Sequence, residues 1–182
     1  EGMPCRSSWT VERDVTNDMT AVRELGRRTY IAQIWAHAKV VNRHDEFKMT
    51  LVEPRQPAGW PEVHPSYTVF NAAQEAFVSL WVPFDHEFSA FHDSAARVIA
   101  EHTSSTEFFP QGAPPRNVFD VSSLPWTSFT GFTLNLDPKS RHLAPIFTLG
   151  KYVDSDRRHL LPLAVQVHHA AAATLDAAVR DA

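Results

Sequence analysis

The segment Leu161-Pro162-Leu163-Ala164-Val165-Gln166-Val167-His168-His169 constrains the chain more than any other. Side chains of a strand alternate between its two faces, so Leu161, Leu163, Val165, Val167 and His169 share one side and Gln166 and His168 share the other. The first side is wholly apolar until His169. A strand of this kind must be buried in a sheet, and it delivers an imidazole to the end of an apolar wall. Histidine titrates near neutral pH, and an apolar surround favours its neutral form, which accepts a proton from a hydroxyl or thiol. The same placement also suits a histidine that merely completes a core. Adjacent histidines point to opposite faces, so His168 and His169 do not chelate one metal from a regular strand. No HExxH or Cys/His ligand spacing occurs elsewhere, and no metal is expected.

The rest of the chain supports a mixed sheet rather than regular βαβ alternation. Tyr30, Ile31, Ile34, Trp35, Ala38 and Val41 recur at helical spacing and predict a helix over 30–43. Thr16-Asn17-Asp18 reads as a helix start after an early strand that ends near Val15. From Asp85 onward a second stripe, Phe88, Phe91, Ala95, Val98 and Ile99, predicts another helix. Strands are expected at 47–52, 64–70, 76–82, 118–121, 129–136, 146–153 and 159–168. Residues 53–61 and 109–115, rich in Pro and Gly, read as loops. The expected fold class is α/β in the broad sense, an α+β two-layer sandwich with a mixed sheet packed against helices.

With 182 residues and 43% hydrophobic content, the chain is long enough to bury one core. One domain over 1–182 is expected. A formal net charge of −4, with no basic stripe, argues against a nucleic-acid partner. No apolar run approaches the roughly 18 residues of a membrane span, and no membrane partner is expected. Cys5 stands alone, which excludes an internal disulfide, and Glu1 to Trp9 lack a signal-peptide pattern; a cytoplasmic location is the default. There is no GxGxxG, Walker A or GxSxG pattern.

Several blocks, in order along the chain, resemble one family. Pro4-Cys5 followed by Thr10, Asp14, Val15 and Thr16 is similar to "PC…T…DIT". Val63 to Phe70 is similar to "VHPxYTVF", and Ser79-Leu80-Trp81 and Phe108 to Gly112 continue the register. Ser122 to Phe129 is similar to "SxxPWxSF", Ala144 to Tyr152 to "APxxTMGKY", and Leu161 to His169 to "LMPLAIQVHH". The chain thus resembles the classical chloramphenicol acetyltransferases, the trimeric CoA-dependent enzymes.

The resemblance implies the CoA-dependent acyltransferase fold and a homotrimer with active sites at the subunit interfaces. It implies chloramphenicol O-acetyltransferase activity: transfer of acetyl from acetyl-CoA to the 3-hydroxyl of chloramphenicol or a related alcohol, an antibiotic-resistance function. His169 would be the general base. Ser122 would donate to the tetrahedral oxyanion, and Thr148 would hold a water near it. Cys5, Thr68, Phe77, Phe109, Phe132, Leu134 and Ile146 match substrate-pocket positions, and Tyr30, Trp126, Lys151 and Tyr152 match positions near CoA. Each of these residues also reads as an ordinary core, turn or surface residue. The family motif HHxxxDG breaks here: Ala173 stands at the aspartate position and Thr174 at the glycine. In the family that aspartate pairs with an arginine of an N-terminal helix, a region that precedes the match to Glu1. The expectation is a chain trimmed at both ends. The other readings are a homologue that binds the drug or CoA without turnover, and a purely structural trimeric module.

Overall fold

The structure, a computed structural model, describes residues 6–52, 56–136 and 142–168. Strand β1 (Arg6–Asp14) leads into helices α1 (Thr16–Glu24) and α2 (Thr29–Arg43). A short 3-10 turn (Asp45–Lys48) precedes β2 (Met49–Val52) and β3 (Gln56–Gly59). Then come β4 (His64–Asn71), β5 (Ala76–Trp81), helix α3 (Phe88–His102), β6 (Val118–Ser123), β7 (Ile146–Leu149), β8 (Val153–Ser155) and β9 (Arg158–His168).

The main sheet runs β1-β9-β7-β6-β4-β5, with β8 also paired to β9. Strands β4, β6 and β7 are parallel and the remaining pairs antiparallel, so the sheet is mixed as expected. Strands β2 and β3 form a separate two-stranded ribbon.

Helix α2 buries Ile31, Ile34, Ala38 and Val41, spaced three and four apart along one face, and α3 buries Phe91, Ala95 and Ile99. Against them lie Tyr67, Val121, Phe147, Leu149, Leu161, Leu163, Val165 and Val167, all core residues. The alternation in 161–167 is therefore real. Ala164 and Gln166 on the other face are also buried, so β9 is covered on both sides.

Local chemistry explains the helix starts. The Asp14 carboxylate accepts hydrogen bonds from the Thr16 N–H and hydroxyl, and the Thr16 hydroxyl in turn accepts from the His159 N–H at 2.8 Å, which ties α1 to β9. The expected helix from Asp85 starts at Phe88 instead. The Asp85 carboxylate accepts the Glu87 N–H at 2.8 Å, and that turn occupies the residues before the first helical one.

Four strand boundaries also differ from expectation. Phe47 and Lys48 belong to the 3-10 turn, closed by the Phe47 N–H on the His44 carbonyl. Residues 56–59, read as loop because of Pro57 and Gly59, form β3; in a two-stranded ribbon an edge proline breaks no central ladder. The run 146–153 breaks after Leu149, because the Gly150 N–H turns to the Pro162 carbonyl and the Lys151 N–H to the Thr127 carbonyl. Finally, 129–136 is not a strand, although it lies along the sheet; its backbone is held by side chains, as described next.

Candidate active site

In β6, Val121 points into the helix-side core, so Ser122 points to the opposite face of the sheet. The ladder places Ser122 beside Thr148, Thr148 beside Ala164, and Ala164 beside Thr10. On the other side of Ser122, the Thr68 Oγ1 of β4 lies 3.2 Å from the Ser122 Oγ. A row of hydroxyls, Thr68, Ser122 and Thr148, thus crosses the middle of the sheet on one face. Thr148 is 3% exposed, which puts its hydroxyl in a place shielded from bulk water.

The segment 129–136 covers part of this face. The Phe132 N–H donates to the Thr10 Oγ1 at 3.2 Å, and the Ser8 hydroxyl donates to the Phe132 carbonyl at 2.8 Å. Leu134 donates its N–H to the Gln166 Oε1 and accepts from the Gln166 Nε2, both at 3.0 Å. Phe129 packs against Phe132 and lies directly over Gly150, where a built Cβ would meet the Phe129 ring at 2.9 Å and Pro162 at 3.1 Å. Glycine at 150 is what lets this ring approach the sheet. Ile146, opposite Gln166, is buried on the same face.

On the far side of the row, Phe70, Phe77 and Trp126 form an aromatic group with centroids 5.1 to 5.7 Å apart. Phe109 packs edge-on against Phe108 and is 44% exposed; the Phe108 carbonyl accepts the Ser79 N–H of β5.

A cleft of 310 Å³ opens beside the row, lined by Tyr30, Gln33, Thr68, Ser123, Lys151 and Tyr152 among others. Three of the four residues matched to CoA, Tyr30, Lys151 and Tyr152, therefore meet around one space. The fourth, Trp126, packs in the aromatic group against Phe70, which itself lines the cleft. Within the cleft, the Tyr30 hydroxyl donates to the Thr68 carbonyl at 2.8 Å, and Gln33 donates to the Tyr152 hydroxyl at 2.7 Å. Burial pushes the pKa of Tyr30 well up, its proximity to Tyr67 adds to this, and Tyr152 shifts the same way through burial, so both phenols stay protonated. Lys151 is exposed.

Of the residues singled out from the sequence, Cys5, His169, Ala173 and Thr174 lie outside the described residues. Ser122, Thr148 and Thr68 come together in the hydroxyl row, with Phe132, Leu134 and Ile146 on the same face. Two supports were not foreseen, Gln166 and Thr10. A visible signal for the first was an amide interrupting an otherwise apolar run, and for Thr10 its place in the early matched block. Among the described residues no three His, Cys, Asp or Glu side chains gather as metal ligands, and no helix is long and apolar enough to cross a membrane.

Comparison with known proteins bears on the family and the fold. The family profile described as chloramphenicol acetyltransferase matches residues 1–179. A chloramphenicol acetyltransferase of Streptomyces acrimycini is 58% identical over 170 residues, covering 93% of this chain and 77% of that protein. One of Clostridium perfringens is 38% identical, covering 91% and 76%. A solved chloramphenicol acetyltransferase structure superposes with a TM-score of 0.88 at 16% identity, over 98% of this chain and 87% of that one. The dihydrolipoamide acetyltransferase of Azotobacter vinelandii superposes at 0.73 and 17% identity, over 98% and 81%. At those identities the two superpositions speak for the fold, a mixed sheet packed with helices. The profile match and the 58% identity go further: the chain belongs to the chloramphenicol acetyltransferase family.

Proposed function

We propose that the chain transfers the acetyl group of acetyl-CoA to the 3-hydroxyl of chloramphenicol, with His169 as general base and Ser122 as oxyanion donor. His169 takes the hydroxyl proton as the oxygen attacks the thioester carbonyl. Ser122 donates a hydrogen bond to the oxyanion that forms, and Thr148 orders a water beside it. Collapse of the tetrahedral centre expels the CoA thiolate, which takes the proton back from His169 and leaves as CoA thiol. A positioned base typically contributes ~10²–10⁴-fold, and an oxyanion donor about 10²–10³-fold.

The observation that carries this reading is the Ser122 hydroxyl, set beside Thr148 on a sheet face half covered by 129–136 and adjoining the cleft of Tyr30, Lys151 and Tyr152. Phe77, Phe109, Phe132, Leu134 and Ile146 supply apolar walls suited to an aromatic alcohol. Lys151 at the exposed cleft mouth suits a CoA phosphate. Cys5 completes the pocket in this reading.

A shared site in a closed homotrimer is part of the proposal. Its support is a length. Ala164 sits opposite Thr148, and His168, just before His169, lies four residues further along β9, or ~13 Å at the rise of a strand. A base and an oxyanion donor serving one carbon must stand within a few ångströms of it, which two copies achieve more readily than one. A cytoplasmic location, where acetyl-CoA is available, completes the reading.

The test is release of free thiol from acetyl-CoA by the purified protein. Release that requires chloramphenicol and disappears in His169→Ala is expected. Calorimetric binding of the drug without thiol release, or an undiminished rate in His169→Ala, would overturn the proposal.

A further inference from the structure

The hydroxyl of Ser122 has one hydrogen to give. The Thr68 hydroxyl lies within hydrogen-bond reach, Oγ to Oγ1 at 3.2 Å, and a bond between two hydroxyls runs in one direction only. If Ser122 donates to Thr68, its hydrogen is spent within the sheet. If Thr68 donates to Ser122, the Ser122 hydrogen stays available to an oxyanion. The second arrangement is the one that serves an oxyanion, and Thr68 is held firmly enough to supply it. A β-branched residue in a strand has a stiff χ1. Its backbone is fixed as well, by β5 on one side, by β6 on the other, and from α2 by the Tyr30 hydroxyl on the Thr68 carbonyl at 2.8 Å. Tyr30 is itself buried and neutral, so its donor role is lasting.

We propose that Thr68, held in place by Tyr30, is a positioning residue: its hydroxyl donates to Ser122 and turns the single Ser122 hydrogen toward the tetrahedral oxyanion. This assigns Thr68 more than pocket lining and gives the Tyr30 hydroxyl a role beyond cofactor contact. It rests on the reading of Ser122 as oxyanion donor.

The test is a double-mutant cycle in steady-state kinetics, with kcat and both KM values read for each variant. Thr68→Val keeps the shape and removes the donor. It is expected to lower kcat about five- to tenfold, the worth of one neutral hydrogen bond, with both KM values within about twofold. Thr68→Ser restores most of kcat. In the Ser122→Ala background, Thr68→Val has no further effect, because the group it orients is gone. Tyr30→Phe lowers kcat a few-fold and leaves the KM for acetyl-CoA unchanged. Thr68→Ala gives the same reading if Thr68→Val folds poorly, as judged by thermal melting. Losses that multiply in the double variant overturn the proposal and leave the role of Ser122 intact. So does a Thr68→Val effect confined to KM, or a Tyr30→Phe effect confined to the KM for acetyl-CoA. A Ser122→Ala variant with near-normal kcat overturns the oxyanion reading itself, and this proposal with it.

Discussion

The side-chain amide of Gln166 closes both backbone hydrogen bonds of Leu134, donating to its carbonyl and accepting from its N–H, each at 3.0 Å. One side chain thus does what a neighbouring strand would do, and it holds 129–136 against the sheet without a ladder. Replacing it strands two backbone groups in a mostly buried place. Gln166→Leu is expected to destabilise the protein by about 2–4 kcal/mol, since each unpaired buried group costs roughly 1–3 kcal/mol and part of the segment can relax. Urea denaturation reads the loss. Because Phe132 and Leu134 are proposed pocket walls, the KM for chloramphenicol should rise more than the KM for acetyl-CoA. A variant of unchanged stability and KM would show that 129–136 is held by other contacts.

Gly150 permits the close approach of Phe129 to the sheet. Gly150→Ala places a methyl 2.9 Å from the ring, closer than carbon atoms tolerate, and a tight 3.1 Å from Pro162. The expected cost is about 1–3 kcal/mol, as for other overpacked sites. Phe129→Leu, which shortens the obstructing side chain, should recover part of it in the double variant. Melting temperatures of the two single variants and the double check this, and strict additivity would contradict the direct clash.

His37 lies in α2, 6% exposed, with its ring 4.6 Å from that of Phe147 and its Nδ1 on the Gln33 carbonyl at 2.6 Å. Burial pushes its pKa down to about 4, the bond to Gln33 opposes the shift, and the charge of Arg13 adds to it. Because the folded pKa is below the unfolded one, the unfolded chain binds the proton first as pH falls. Stability is therefore intact above about pH 6.5 and drains away between there and about pH 4, by about 3 kcal/mol in total. His37→Gln should remove that share of the pH dependence. Urea midpoints of both proteins at pH 7 and pH 4.5 read it; parallel losses in the two would exclude His37 as the source.

The Tyr67 hydroxyl is buried and finds no hydrogen-bond partner among the described residues. Its ring packs edge-on against Tyr30 and fills the core. Tyr67→Phe keeps the ring and deletes an unsatisfied group, so stability should stay level or rise by about 1 kcal/mol. A loss of more than that would reveal a partner of this hydroxyl, and chemical denaturation decides between them.

Much of the architecture was legible in residue order. The alternation Leu161, Leu163, Val165, Val167 marks a buried strand, and the spacing of Ile31, Ile34, Ala38 and Val41 marks the helix that covers it. These signals are strong because a period of two or of 3.6 follows directly from backbone geometry. Short segments were harder. Residues 129–136 have strand-like composition, yet their hydrogen bonds go to Thr10, Ser8 and Gln166, residues 32 to 124 positions distant. No local pattern encodes partners so remote. Likewise the break after Leu149 depends on Pro162 and Thr127 accepting the next two N–H groups.

The chain's own residues, read in order, already determined the family resemblance, the mixed sheet and the identity of Ser122 and Thr148 as residues to watch. Tertiary structure alone decided that Thr68 stands 3.2 Å from Ser122, that Tyr30 reaches the Thr68 carbonyl, and that Trp126 packs with Phe70 and Phe77. The division has a physical cause. Side-chain periodicity is set by the local backbone and can be read along the chain, whereas the direction in which a hydroxyl points is set by whichever strand the parallel pairing of β4, β6 and β7 brings beside it.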